Sequence, residues 1–169
     1  MEQQRFRFLF RVLQISIALI PLLMGLFAFL NGLDIFKLSV QTVVDPLITL
    51  QGDHAQSWRA LPANVAPYIY TLMFIGEGVV GLLALCGVIS MLLHIGKPSE
   101  QFEQSKQWVY LACVWGTLVW GLGFFEIGGD WFLAWTSNNA VISGLQQGAL
   151  MYVLLLWVVF FYLKQLTEK

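Results

Sequence analysis

Four long apolar stretches, separated by polar segments, set the pattern of this chain. They cover residues about 12–30, 68–93, 108–125 and 141–163. A helix rises about 1.5 Å per residue, and crossing a bilayer takes roughly 20 apolar residues. The pattern therefore predicts an all-α, polytopic membrane protein with one domain, residues 1–169, of four transmembrane helices in a bundle.

The first polar segment, residues 31–67, has a helical pattern of its own. Asp34 is placed to begin a helix and Pro46 to end it. One stripe of that helix would be apolar and the opposite stripe polar, with Phe36, Val40, Val43, Val44 and Leu47 on the first and Asp34, Lys37, Gln41 and Asp45 on the second. We expect a short amphipathic helix, about 34–45, at the outer membrane surface or folded over the bundle.

Composition agrees with a membrane protein. Hydrophobic residues make up 58% of the chain and charged residues 11%, whereas soluble domains carry about 25% charged residues. The net charge of -1 argues against nucleic acid as a partner, because no basic face is present to neutralise phosphates. The first apolar stretch is longer than the apolar region of a signal peptide, about 7–15 residues, and we expect it to be a retained helix.

Orientation follows from the distribution of lysine and arginine. With the N-terminus in the cytoplasm, the inner segments hold seven of these residues and the outer loops only Lys37 and Arg59. This asymmetry predicts that both termini are cytoplasmic. The inner loop, residues 96–107, is short and polar, and we expect a plain connection there.

Glu77 is the residue most costly to place in a membrane, because it lies near the middle of the second apolar stretch. An ionised side chain there costs roughly 2.5–3.5 kcal/mol. Small neighbours, Gly81 among them, predict that this side of the helix faces another helix. Three groups at matching depth are candidate partners of its carboxyl: Thr117, Tyr152 and the backbone carbonyl of Ile17, which Pro21 leaves free.

Two interpretations of Glu77 remain open at this stage. In the first, it is a neutral carboxylic acid whose hydrogen bonds hold helices together, since desolvation disfavours the charged form. In the second, it handles protons or binds a ligand. Substitution of Glu77 by glutamine separates the two, because only the second needs an ionisable group.

A second polar cluster follows the third apolar stretch. Two glycines there predict a tight exit from the helix, three aromatic rings predict an anchor at headgroup depth, and two acids invite a cation from the long outer loop. We expect that loop to pack over residues 128–138 and Arg59 to pair with Asp130 or Glu126. The cluster consists of Trp58, Arg59, Glu126, Gly128, Gly129, Asp130, Trp131 and Trp135.

The remaining candidates are weaker. Ala140, Gly144 and Gly148 form a small-residue stripe that predicts close helix contact, within the chain or between subunits. Cys86 and Cys113 form no CxxC pair, and we expect free structural thiols. His54 and His94 lie away from mid-membrane, which argues against haem ligation. We expect no metal and no cofactor.

Several landmarks occur in the order of a known family. They are Asn31-Gly32 with Asp34, then Trp58-Arg59-Ala60, Glu77, and Gly128-Gly129-Asp130-Trp131-Phe132 with Trp135. In this order the chain resembles the bacterial family of predicted small integral membrane proteins, a domain of unknown function. Asp130 stands where glutamate is usual, and Thr136 where an amide is usual. The resemblance implies a compact four-helix protein of a Gram-negative inner membrane, with no assigned activity.

Two functions follow as expectations. The first is a non-catalytic accessory or structural subunit of a membrane complex, favoured by the short tails and the small-residue stripe. The alternative is a small oligomeric transporter or channel that uses Glu77 as its proton or substrate site. An enzyme acting on lipid is a distant third. The expected partners are the lipid bilayer and another membrane protein or a second copy of this chain.

Overall fold

The computed structural model describes residues 2–50, 57–136 and 140–166, and all regular secondary structure in these ranges is helical. Four helices there are long and apolar enough to cross a membrane. We name them span one (Gln3–Asp34), span two (Ala63–Leu93), span three (Ser99–Trp131) and span four (Ala140–Gln165). The prediction of an all-α polytopic protein is confirmed.

The spans are built from shorter helical elements. The α-helices are α1 (Glu2–Asp34), α2 (Phe36–Ser39), α3 (Asp45–Ile48), α4 (Ala66–Leu93), α5 (Ser99–Ser105), α6 (Gln107–Gly116) and α7 (Ala140–Gln165). Two segments are π-helical, Val40–Val44 and Thr117–Trp131, and two are 3₁₀-helical, Ala63–Val65 and Ala134–Thr136. We call the end with residues 35–50, 57–65 and 126–136 the loop end, and the opposite end, where α1 begins and α7 finishes, the terminal end.

The segment after span one differs from its prediction at both boundaries. Asp34 belongs to the last turn of α1 and does not cap the next helix, which begins after Ile35. Pro46 does not stop that helix but lies in the first turn of α3. Its missing N–H is tolerated because the preceding turn, Val40–Val44, is already the wider π form.

The amphipathic character of this segment is present in the structure. Val44 and Ile48 are buried, while Lys37 and Gln41 are exposed. Val44 and Ile48 form a small apolar cluster at the loop end together with Leu50, Ala66 and Phe132. Residues 36–48 therefore fold over the ends of the spans.

Span one packs on span two more extensively than on either other span. The contact is closest where Gly25 meets Gly81: a Cβ added to Gly25 would overlap the Gly81 backbone and lie 2.8 Å from the Glu77 carbonyl oxygen. A Cβ on Gly81 would lie 2.9 Å from the Leu26 nitrogen. The two backbones approach this closely because both positions lack a side chain.

The terminal end holds a buried polar cluster where a plain connection is expected from the sequence. Residues 99–105 are helical, and Lys106 after them has no exposed surface. Its Nζ donates to both Glu103 carboxyl oxygens, at 2.9 and 2.7 Å, and to the carbonyl oxygens of Leu163 and Leu166 at 3.4 and 3.1 Å. These last carbonyls of span four have no partners within a helix, and Lys106 satisfies them.

Span one completes this cap. The Arg11 Nη1 donates to the carbonyl oxygens of Ile95 and Lys97, at 2.7 and 2.6 Å, beyond the end of α4. The Gln14 Nε2 donates to Leu166 at 2.9 Å. Cations at helix C-termini are favoured by the helix dipole as well. Arg11 thus joins span one to the segment after span two, and Lys106 joins span three to the end of span four, although the sequence presents both residues only as orientation signals.

Candidate functional site

Glu77 lies eleven residues after Ala66 in α4, which places it about 16 Å along the helix. It is 9% exposed. The glycines beside it bring other spans close: a Cβ on Gly76 would lie 3.0 Å from Val119 of span three, and one on Gly78 would lie 2.7 Å from the Phe29 ring of span one. The turn of α4 that carries Glu77 is therefore held between spans one and three.

The carboxyl of Glu77 accepts a hydrogen bond from an indole. Trp120 Nε1 donates to Glu77 Oε1 at 3.0 Å, and Trp120 is itself only 2% exposed. One turn earlier on span three, Trp115 Nε1 donates to the Gly76 carbonyl oxygen at 3.1 Å. Two tryptophans of one span thus fix the side chain and the backbone of this α4 turn.

This arrangement corrects the predicted partners of Glu77. The Thr117 hydroxyl donates to the Cys113 carbonyl oxygen at 2.8 Å, within its own helix. The Tyr152 ring meets the Trp120 ring edge-on, with centroids 4.8 Å apart. Span three becomes π-helical at Thr117, and its wider turns change which side chains face α4.

The third predicted partner, the Ile17 carbonyl, lies at a different depth in the bundle from Glu77. The Glu77 turn of α4 meets span one at Gly25. Ile17 is eight residues earlier on α1, which is about 12 Å along the axis. The two helices pack with a different offset from the one that equal depth in the sequence suggests.

A cavity of about 300 Å³ adjoins Glu77. It extends from Glu77 toward residues 39–44 at the loop end and is lined by all four spans. Most of its wall is apolar. Its polar and aromatic hydrogen-bonding side chains are Asn31, Ser39, Tyr70, Glu77, Trp120 and Tyr152.

The small-residue stripe of span four forms one wall of this cavity and makes no close contact there. Gly144 and Gly148 line the cavity, and a Cβ added to either would meet no atom within 4 Å in the described structure. Ala140 is exposed. Of the two contacts that the stripe leaves open, the one within the chain is not made at Gly144 or Gly148 in the described structure, and the one between subunits stays a prediction.

A second cavity, of about 280 Å³, lies nearby and shares Val43, Val44, Met73, Phe124 and Leu145 with the first. Its lining is almost entirely apolar, with Gln146 as a polar exception. The Nε2 of Gln146 is buried and has no hydrogen-bond partner there. The first cavity, which has the acid and several hydrogen-bonding groups, is the stronger candidate for a functional site.

The loop-end cluster is brought together, although by contacts other than those expected. Arg59 Nη1 donates to the backbone carbonyl oxygens of Asp130 and Trp131, at 3.1 and 3.4 Å, and makes no ion pair with the Asp130 or Glu126 carboxylate in the described chain. These carbonyls end span three, so the guanidinium caps the negative end of that helix. The Trp58 ring meets the Trp131 ring edge-on at 5.3 Å.

The two glycines of this cluster do not form a tight exit. Span three continues through Gly128 and Gly129 to Trp131, and both glycines are buried. A Cβ on Gly129 would lie 3.0 Å from the Gln146 Nε2 of span four. Glu126, Asp130 and Trp135 are exposed, and Glu126 thus stays outside the contact.

The other candidates lie apart from the cavity. Cys86 is exposed and Cys113 buried, and both are free thiols. The His94 Nδ1 lies 2.7 Å from the Ser90 carbonyl oxygen at the end of α4. His54 lies outside the described residues. Within the described ranges no group of three or more His, Cys, Asp and Glu side chains is placed to hold a metal ion.

Comparison with known proteins gives one match. The family model for predicted small integral membrane proteins, designated DUF2165, matches residues 10–166. No curated protein and no solved structure matches the chain. The match includes most of span one and all of spans two, three and four, and the chain therefore belongs to the DUF2165 family of predicted small integral membrane proteins.

Proposed function

We propose that the protein binds a small molecule in the cavity beside Glu77, as a membrane binding or transport protein. The observation that carries this proposal is that a carboxyl near the middle of a span lines a cavity of about 300 Å³. A carboxyl that serves only to join helices is expected to be enclosed by the groups it bonds. Glu77 has one such bond, from Trp120, and an open volume beside it.

The lining supports a ligand site in other respects. Small-molecule pockets are mostly apolar and hold a few placed polar groups, with volumes of about 300–1,000 Å³. Here the walls are apolar and the polar groups, Asn31, Tyr70, Glu77 and Tyr152 among them, come from three spans. The volume is at the small end of that range and indicates a compact ligand.

Span three supplies a feature suited to movement. Its half nearest the loop end, Thr117–Trp131, is π-helical and carries Trp120 and Phe124 on the cavity wall. Segments of π-helix are rare and frequent at functional sites. This is consistent with a transport role, in which Glu77 would bind a proton or the substrate, and with simple binding.

A compound screen against a filled cavity tests the proposal. We expect small amphipathic compounds to raise the melting temperature of the purified protein. Gly144→Phe places a ring in the cavity, where a Cβ meets no atom, and it should abolish these shifts. Leu154→Trp is the matched control, since Leu154 is 52% exposed on the same helix and lines none of the cavities described above. The proposal fails if compounds stabilise the Gly144→Phe variant as they stabilise the parent protein.

The accessory-subunit function stays as the second candidate, because of the same stripe. Span four is the least buried of the four spans, and a transmembrane helix of another protein could pack on Gly144 and Gly148. Native mass spectrometry of the protein from its own membrane distinguishes the two. A heteromeric partner at fixed stoichiometry that Gly144→Phe releases, with no compound bound by the parent protein, favours the accessory function.

A further inference from the structure

The charge of the cavity restricts what it can hold, given the proposed function on which this inference rests. Among the described residues that line it, Glu77 alone carries a side chain that can be charged near neutral pH, and none is lysine, arginine or histidine. An anionic ligand would face a carboxyl without any compensating cation. The lining therefore excludes anions and favours a neutral or cationic group.

Aromatic rings add a second preference. Tyr70, Trp120, Phe124 and Tyr152 all line the cavity, and they come from spans two, three and four. The faces of such rings attract cations, and tryptophan does so most strongly. A carboxyl next to several aromatic side chains in an apolar wall is the composition that recognises organic ammonium groups.

The carboxyl is also held in position for such a contact. The Trp120 indole N–H donates to Glu77 Oε1 at 3.0 Å, and this hydrogen bond holds the carboxyl with its oxygens as acceptors. Because only Oε1 takes part in this bond, Oε2 is available to a ligand. An inorganic cation such as Mg²⁺ or Ca²⁺ is disfavoured, because Ca²⁺ sites are built largely from carboxylates and Mg²⁺ sites combine carboxylates with phosphates, whereas Glu77 is the one carboxylate among the described residues of the cavity wall.

We propose that the cavity binds a lipophilic ammonium compound, with its charged nitrogen beside the Glu77 carboxyl and its apolar groups against the aromatic wall. A lipid amine headgroup has the same chemistry, but Glu77 lies about 16 Å along α4 from Ala66. A headgroup would have to leave the bilayer surface to reach that depth. A free compound with an apolar body meets no such barrier.

The test uses two probes of nearly the same shape, phenyltrimethylammonium and its neutral isostere tert-butylbenzene. Binding is measured by calorimetry on the full-length protein in phosphatidylglycerol nanodiscs. We expect Glu77→Gln to reduce the affinity for the ammonium probe by at least about tenfold, because the attraction between the two charges is lost in a medium of low dielectric constant. Binding of the isostere should change by less than about twofold. Glu126→Gln, an exposed acid outside the cavity, should change neither.

The outcomes separate this inference from the proposed function. If Glu77→Gln leaves ammonium binding unchanged, or if both probes are weakened alike, the preference for a cation is wrong and the cavity remains a site. If neither probe binds, while other compounds are still excluded by Gly144→Phe, the ligand class alone is wrong. If Gly144→Phe changes the binding of no compound, the proposed function fails as well.

Two further measurements complete the test. Trp120→Phe removes the indole N–H donor and keeps an aromatic ring. In a protein that still folds, it should reduce the affinity for the ammonium probe less than Glu77→Gln does. Phosphatidylethanolamine nanodiscs test the lipid source. If that lipid competes with the ammonium probe, the occupant is a headgroup, and the proposal of a free compound is overturned.

Discussion

At the scale of single residues, the hydrogen bond between the Glu77 carboxyl and its partner decides how the site is held. Its Oε1 accepts from the Trp120 indole at 3.0 Å, so the indole N–H is as dependent on Glu77 as the acid is on the indole. Removing one member of a buried pair leaves the other unsatisfied, while removing both is far less costly. This asymmetry gives a test that needs no knowledge of the ligand.

The prediction concerns stability. Glu77→Gln keeps an acceptor at the same place and should leave the free energy of unfolding nearly unchanged. Glu77→Ala leaves the Trp120 N–H without a partner and should cost about 1–3 kcal/mol, measured by denaturation in detergent. Thr117→Val is the control and should have a small effect, since the Thr117 hydroxyl bonds only within its own helix. An equal loss for Gln and Ala would contradict the assigned hydrogen bond.

Residue-level reasoning from the sequence identified Glu77 but not its partner. An acid near the middle of a span is costly however the helices are arranged, and the sequence alone therefore identifies Glu77 as a candidate. The partner depends on the rotation and offset of span three, and these depend on the π-helical turns from Thr117 to Trp131. No periodicity at the α-helical spacing predicts such turns, and the sequence therefore points to Thr117 by its depth and gives no signal for Trp120.

At the scale of elements, glycines decide where the spans approach. Gly81 meets the backbone of span one, while Gly144 of span four has open space before it. Both belong to small-residue patterns that look alike in the sequence. Which of them packs depends on the relative position of whole helices, and only the structure supplies that.

This contrast predicts opposite effects for one substitution. Gly81→Ala should destabilise the protein, because the new Cβ would lie 2.9 Å from the backbone nitrogen of Leu26 and the two spans must separate. Gly144→Ala should be neutral or slightly stabilising, since alanine favours the helix by roughly 1 kcal/mol over glycine. Thermal unfolding of the two variants checks this. A larger loss for Gly144→Ala would mean that span four packs elsewhere.

The terminal-end cluster contains contacts that the sequence does not predict. Arg11 and Lys106 were counted as signals of orientation, as lysine and arginine near span ends generally are. Burial of both, with Lys106 joining Glu103 to the end of span four and Arg11 joining span one to the segment after span two, follows from the packing of all four spans. The role of these residues as caps could not be derived from charge and position alone.

At the scale of the whole molecule, the two ends differ in construction. The terminal end is closed by charged side chains on helix carbonyls, and the loop end is closed by an apolar cluster drawn from residues 40–50, 60–70 and 132–133. Between them, the half nearer the loop end contains the cavity beside Glu77. If the termini are cytoplasmic, the cavity belongs to the outer half of the membrane.

The orientation itself is a prediction from the distribution of lysine and arginine. Reporter fusions after residue 169 and within residues 98–105 should report the cytoplasm, because the segments on that side of the membrane carry seven of the nine lysines and arginines. Fusions near residues 51 and 138 should report the opposite side. A cytoplasmic reporter near residue 51 would reverse the arrangement and place the cavity in the inner half.

Thiol labelling shows whether an accessible cavity lies between Glu77 and span four. The parent carries Cys86→Ser and Cys113→Ala, and single cysteines are added at Gly148, on the cavity wall, and at Leu154, 52% exposed on the same helix. A small, water-soluble thiol reagent should modify Gly148→Cys in intact membranes and leave Leu154→Cys, which faces lipid, unmodified. Equal protection of both positions would contradict the cavity and the function proposed for it.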